Sequence, residues 1–219
     1  MKGIVKMKKL LFATVCFILA YISCNRSGNY IIPVDYEKYN DGATNRTEKE
    51  NQELTMKLYM DWYHNTVGKE IPDIRVKDIE GKTIRLKKWL KGETILIFTD
   101  AYCGYGGEEV EQDFPNAINN MKDELEGIDI LCLVELSEDS DQQKTVEYAK
   151  TLQGKYNHIF IIDQKDALRC NLAATPTKFF IDEKQIVKHI QMGFTFDENG
   201  SEYSIRQGVM MMQKENTTE

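Results

Sequence analysis

The stretch Thr94-Ile-Leu-Ile-Phe-Thr-Asp-Ala-Tyr-Cys103-Gly-Tyr-Gly106-Gly-Glu-Glu-Val110 restricts the possible architecture more than any other part of the chain. An apolar run of β-formers reads as a buried strand, and such strands belong to sheets covered by helices on both faces. The run stops abruptly, a cysteine follows, and glycines lead into an acid-rich helical pattern. A strand that delivers a cysteine to the start of a helix sets a thiol among free N–H groups and partial positive charge. Both favour the thiolate. Cys103 is therefore the candidate catalytic residue.

Around this turn the hydrophobic periodicity supplies a sheet. Ile71 to Ile79 alternates apolar and polar residues, Glu80-Gly81 turns the chain, and Thr83 to Leu86 returns as the second arm of a hairpin. Ile128 to Leu136, His158 to Ile162, Thr177 to Ile181 and Gln185 to Gln191 read as further strands. Helical patterns occupy Gly107 to Leu125, Asp139 to Leu152, Lys165 to Leu172 and Tyr203 to Lys214. Pro115 is expected to kink the first of these. The order β-β-β-α-β-α-β-α-β-β mixes parallel crossovers with hairpins, so the expected class is α/β, a mixed central sheet flanked by helices. Cys132 falls in mid-strand and reads as a core side chain.

Upstream, Thr47 and Glu50 form a capping box. Leu54, Leu58 and Trp62 recur at four-residue spacing, with Tyr59 and Tyr63 beside them, marking an amphipathic helix over 47–69. The polar segment 25–46 lacks periodicity and reads as a tether. The main domain is expected over 70–193, and 194–219 is a C-terminal extension without a functional reading.

Met1 to Cys24 has a basic head, an apolar run from Leu10 to Ile22, and then Ser23-Cys24. That run is short for a bilayer span and suits a signal peptide. Leu19-Ala-Tyr-Ile-Ser-Cys24 resembles a bacterial lipoprotein signal, in which Cys24 is lipidated and becomes the first residue. Ordinary cleavage is the alternative, because Tyr21 stands where leucine is more usual. Either way the expected location is the cell envelope, with lipid anchoring facing the periplasm in the first case. The first 24 residues hold four lysines and no acid, leaving 24 cationic against 35 anionic side chains, a net of −11. A body that acidic argues against nucleic acid as a partner. Five irregularly spaced cysteines and three scattered histidines form neither a disulfide framework nor a metal site. No cofactor is implied.

Three features, in order, resemble the thioredoxin-like superfamily, specifically the exported disulfide-reductase-like branch that includes cytochrome-maturation proteins. Ile71-Pro72-Asp-Ile to Asp78-Ile-Glu-Gly81 is similar to its opening hairpin. Ile95 to Phe98 with Tyr102-Cys103-Gly-Tyr-Gly106 stands where the family carries C-x-x-C. Ala174-Thr175-Pro176-Thr177-Lys-Phe-Phe-Ile-Asp182 resembles its cis-proline loop and following strand. The resemblance implies a thioredoxin-like fold with an N-terminal hairpin and a central α/β insertion, for which the 73 positions from Cys103 to Pro176 leave room.

It also implies that Cys103 is the attacking cysteine. The backbone at Thr175 and Pro176 would pair with an extended substrate segment, and Tyr102 would add contact area. Glu109 matches an acidic position used near the site. The plainer reading makes it one of three acids, with Glu108 and Glu111, that complement a helix dipole. Two departures stand out. Gly106 occupies the place of the resolving cysteine, and Pro115 lies four residues later than the family's helix proline. Cys170, six residues before Pro176, is a candidate resolving thiol, though a small half-buried side chain on an amphipathic turn is its plainer reading.

The sequence therefore leaves three readings. One is a monothiol redox protein acting through Cys103 on envelope protein thiols or disulfides, or on small thiols. Another is an inactive binding module that holds extended peptides beside Thr175-Pro176. The third is a lipoprotein whose fold supports assembly alone. A peroxiredoxin reading is weaker, because Thr99 stands four residues rather than three before Cys103 and no proline stands four residues before Thr99.

Overall fold

In chain order the elements are α1 (Glu48–Thr66), β1 (Arg75–Asp78), β2 (Thr83–Arg85), β3 (Thr94–Asp100), a π-helical stretch (Glu109–Asp113), α2 (Phe114–Asn120), β4 (Asp129–Leu136), α3 (Gln142–Thr151), β5 (His158–Asp163), α4 (Gln164–Arg169), β6 (Thr177–Ile181), β7 (Val187–Met192) and α5 (Gly200–Gln213). The computed structural model describes residues 30–39, 46–102, 107–136, 141–172, 174–192 and 200–214. The expected signal segment 1–24, its Cys24 and residues 25–29 lie outside them.

One sheet of seven strands runs in the order β2-β1-β5-β4-β3-β6-β7. β3, β4 and β5 are mutually parallel, as crossovers through helices require, while β6 runs antiparallel beside β3 and β7 antiparallel beside β6. The hairpin β1–β2 docks antiparallel on β5, with Lys77 opposite Ile161. Thr94 to Thr99 of β3 are all buried, which is what its uninterrupted run demands.

Alternation along the strands divides the core into two layers. On one face Leu96, Phe98, Leu131, Leu133, Phe160 and Phe179 meet Trp62 of α1 and Ala167 of α4. On the other, Ile95, Ile97, Cys132, Val134 and Phe180 meet Phe114, Ala149 and Ile205 of α2, α3 and α5. Helix α5 comes so close that a Cβ at Gly208 would overlap the Phe180 ring. Glycine is thus the residue that lets this helix lie on β6.

The capping box at Thr47 forms: the Thr47 amide donates to Glu50 at 2.7 Å and the Glu50 amide to Thr47 Oγ1 at 3.3 Å. The N-terminal segment departs from expectation. The sequence reads 25–46 as a tether, yet Ile31, Val34 and Tyr39 are buried in the α1-side core. The Ile31 amide donates to the Glu70 carbonyl at 3.0 Å and the Ile32 amide to the Asn65 carbonyl at 3.1 Å, and a further anchor is Asn171, fully buried and in the left-handed region at φ 56°. Its Oδ1 accepts from the Val34 amide at 2.8 Å, and its Nδ2 donates to the Ile32 carbonyl and to Thr66 Oγ1, both at 2.9 Å. Its carbonyl accepts from Trp62 Nε1 at 2.6 Å. One asparagine, with its polar atoms satisfied as burial requires, pins the segment and α1 to the domain.

Pro115 acts on the helix before α2. A proline donates no hydrogen bond, so an upstream carbonyl loses its partner. The helix widens here, with the Phe114 amide bonding to the Glu109 carbonyl five residues back. The Val110 carbonyl accepts instead from the hydroxyl of Tyr156 at 2.5 Å. The expected kink is therefore a π-helical widening that a tyrosine from a distant turn completes.

Candidate functional site

The site builds from the carboxyl end of β3. Asp100 is the last residue of that strand, and its Oδ1 accepts from the Tyr102 amide at 2.6 Å. Its Oδ2 accepts from Thr175 Oγ1 at 2.7 Å. Thr175 and Pro176 are joined by a cis peptide bond immediately before β6. Because β6 runs antiparallel to β3, with Phe98 opposite Thr177, the residues that enter β6 lie beside those that leave β3. Two motifs separated by 75 positions thus meet at one carboxylate.

Tyr102 is about half exposed, at 51%. Its hydroxyl accepts from the amide of Asp141, the N-cap of α3, at 3.1 Å, and Lys144 Nζ lies 3.9 Å from its ring centroid. The residue before Cys103 is held at its backbone by β3 and at its side chain by α3. Cys103 itself, with Gly104, Tyr105 and Gly106, lies outside the described residues, which resume at Gly107 in helix.

Glu109 is 2% exposed, so it is no surface charge at a helix end. Lys178 Nζ, also fully buried, donates to its Oε1 at 2.6 Å and lies 5.2 Å from the Phe114 ring centroid. Lys178 stands two residues beyond the cis-proline. Burial pushes its ammonium below the usual lysine range, and the Glu109 carboxylate pulls it back up. Each charge is tolerable in the core because the other is there. The pair joins β6 to the helix that follows the Cys103 segment.

A second carboxyl borders the site. Glu135 is directly opposite Asp100 in the β3–β4 register, and burial, together with the charge of Asp100, pushes its carboxyl above the usual range. The remaining described thiols are inert by comparison. Cys132 is fully buried in the α2-side core, where burial pushes its thiol up. Cys170 is fully buried on the α1 side, its thiol pushed up to about 12 by burial. It stays protonated at neutral pH and offers no exposed sulfur.

No protein-family model matches the sequence. No curated protein matches it either. Comparison with solved structures does find relatives in shape. A hypothetical protein of Sinorhizobium meliloti superposes with a TM-score of 0.52 at 16% identity, over 70% of this chain and 88% of that one. A candidate protein disulfide isomerase of Bacteroides thetaiotaomicron does so with a TM-score of 0.51 at 18% identity, over 68% and 91%. The candidate thiol:disulfide interchange protein DsbE of Chlorobium tepidum gives 0.49 at 16%, over 64% and 93%. The shared element is the mixed sheet with helices on both faces. The fold is thioredoxin-like.

Within this thioredoxin-like domain the structure brings Tyr102, Thr175 and Pro176 to one end of the sheet, with Glu109 buried at the helix that follows. Sequence reasoning missed Asp100, Lys178 and Glu135. Lys178 carried a legible signal, since a lysine inside the strand Thr177-Lys-Phe-Phe-Ile181 requires a buried acid as partner. Which acid is a tertiary matter, 69 positions away. Asp100 carried little signal, because an acid at a strand end ordinarily meets solvent.

Proposed function

We propose that the chain is an exported, lipid-anchored thioredoxin-like protein that performs monothiol chemistry through Cys103. The observation that carries this reading is the bond from Thr175 to Asp100, which places the cis-proline loop at the strand end leading into Cys103. In the proposed reaction the Cys103 thiolate attacks one sulfur of a protein or small-molecule disulfide. A Cys103 mixed disulfide forms and the other sulfur leaves as a thiolate. With Gly106 in place of a second thiol, release requires an external thiol. That thiol takes over the captured sulfur and restores the Cys103 thiolate. Glu109 fits this scheme as a fixed charge paired with Lys178.

A second reading, a binding module for extended peptides without turnover, is favoured by the burial of Cys132 and Cys170, which leaves no described thiol exposed to complete a cycle. The alkylation rate of Cys103 against pH separates the two, with Cys103→Ser as control. An inflection well below 8, together with mixed disulfides trapped on Cys103 in the envelope, supports monothiol chemistry. A rate that rises only through the ordinary thiol range near 8.5 removes the redox reading and leaves peptide binding. Labelling with a radioactive fatty acid, abolished in Cys24→Ser, tests the anchor.

A further inference from the structure

We propose that Asp100 is a positioning residue of this site. Its carboxylate locks the loop carrying Thr175 and Pro176 to the segment that delivers Cys103. The inference rests on the monothiol reading above and deepens it by naming what ties the Thr175-Pro176 loop to Tyr102, the residue before Cys103. The two oxygens of one rigid, planar group accept from two different segments, the Thr175 hydroxyl at 2.7 Å and the Tyr102 amide at 2.6 Å. Hydrogen bonds to an ionised acceptor are shorter and roughly twice as strong as neutral ones. Fixing one oxygen of a carboxylate orients the other, so a change at Thr175 reaches the Tyr102 amide although the two residues share no direct bond.

The cost of the arrangement points the same way. Glu135 stands directly opposite Asp100, and its carboxyl is pushed up by burial and by the Asp100 charge. An uncharged side chain at 100 would relieve that repulsion but could not accept from both segments at once. Tyr102 is held again at its other end by Asp141 and Lys144 of α3, so the Asp100 bond to its amide fixes this residue at both backbone and side chain.

The test uses the full chain and measures amide hydrogen exchange at Tyr102, with capture kinetics at Cys103 alongside. Thr175→Val, which removes the hydroxyl and keeps the shape, is expected to raise Tyr102 exchange by about tenfold, and Thr175→Ser to restore it. Exchange in Thr175→Val within about twofold of the unaltered chain overturns the coupling. In the kinetic arm, Asp100→Ala slows capture of an extended peptide disulfide by about tenfold, while iodoacetamide alkylation of Cys103 changes by less than about twofold. Asp100→Asn, which keeps shape and one acceptor, falls between. Equal slowing with both reagents overturns the positioning role. If the unaltered chain captures no peptide disulfide, the redox reading fails by itself, and Tyr102 exchange still decides whether the latch exists.

Discussion

Lys178→Met tests the energetic core of the site most directly. The substitution preserves length and apolar stem but leaves the Glu109 carboxylate without the ammonium that sits 2.6 Å away. Both side chains are essentially removed from water, at 0% and 3% exposure, so no solvent is at hand to take over. Breaking a buried pair by deleting one partner costs about 3–5 kcal/mol, because an uncompensated charge remains. For a chain of this size that is a fall in Tm of roughly 6–20 °C.

The comparison is the Arg206–Glu124 pair, also at 2.6 Å but with side chains about half exposed. Arg206→Met should cost no more than about 1 kcal/mol. Thermal and urea denaturation followed by circular dichroism measure both. Adding Glu109→Gln to Lys178→Met removes the stranded charge and should recover most of the loss. The single-variant deficit should also narrow as pH falls, since protonation neutralises Glu109. A Lys178→Met loss below about 1 kcal/mol, or a double variant no better than the single, would refute the argument that the two charges depend on each other.

Three further outcomes follow from the same structure. Asn171→Ala removes three side-chain hydrogen bonds and puts alanine at a left-handed position; it should cost roughly 3–4 kcal/mol and raise amide exchange over residues 31–39, read by mass spectrometry. Tyr156→Phe strands the Val110 carbonyl in the π-helical stretch before Pro115 and should cost about 1–3 kcal/mol by urea titration, with unchanged strand content. Glu135 has a folded-state affinity for protons above its unfolded one, so its charge opposes folding above the unfolded carboxylate range near about 4.3 and has no effect below it. Glu135→Gln should therefore raise stability at pH 7, and the gain should vanish as the pH is lowered through that range; a gain that persists in acid would contradict the sign.

Much of the fold was legible because it depends on periodicities that neighbouring residues carry. The uninterrupted run at Thr94 to Thr99 could only be an inner strand, and it is buried throughout. The Thr47–Glu50 capping box needs no information from beyond one turn and forms as written. The terminal helix was expected from Tyr203 and begins at Gly200, a boundary effect of the kind that fraying ends produce. Where tertiary contacts override composition, the reading went astray. Residues 25–46 lack periodicity and pass for a tether, yet contacts with remote residues, among them a buried asparagine 137 positions from Val34, hold Ile31 and Val34 in the core.

For the site, the sequence by itself determined the order of the parts: a strand, Cys103, a helical start and, 73 positions later, Pro176. It also showed that residue 106 is glycine and carries no thiol. The tertiary structure alone decided that Asp100 meets Thr175, that Lys178 meets Glu109, and that Cys170 is sealed from solvent. The physical reason is distance along the chain. Hydrophobic patterning specifies which face of an element is buried, but the partner of a buried polar group depends on register between elements, and register is set only when the sheet is assembled.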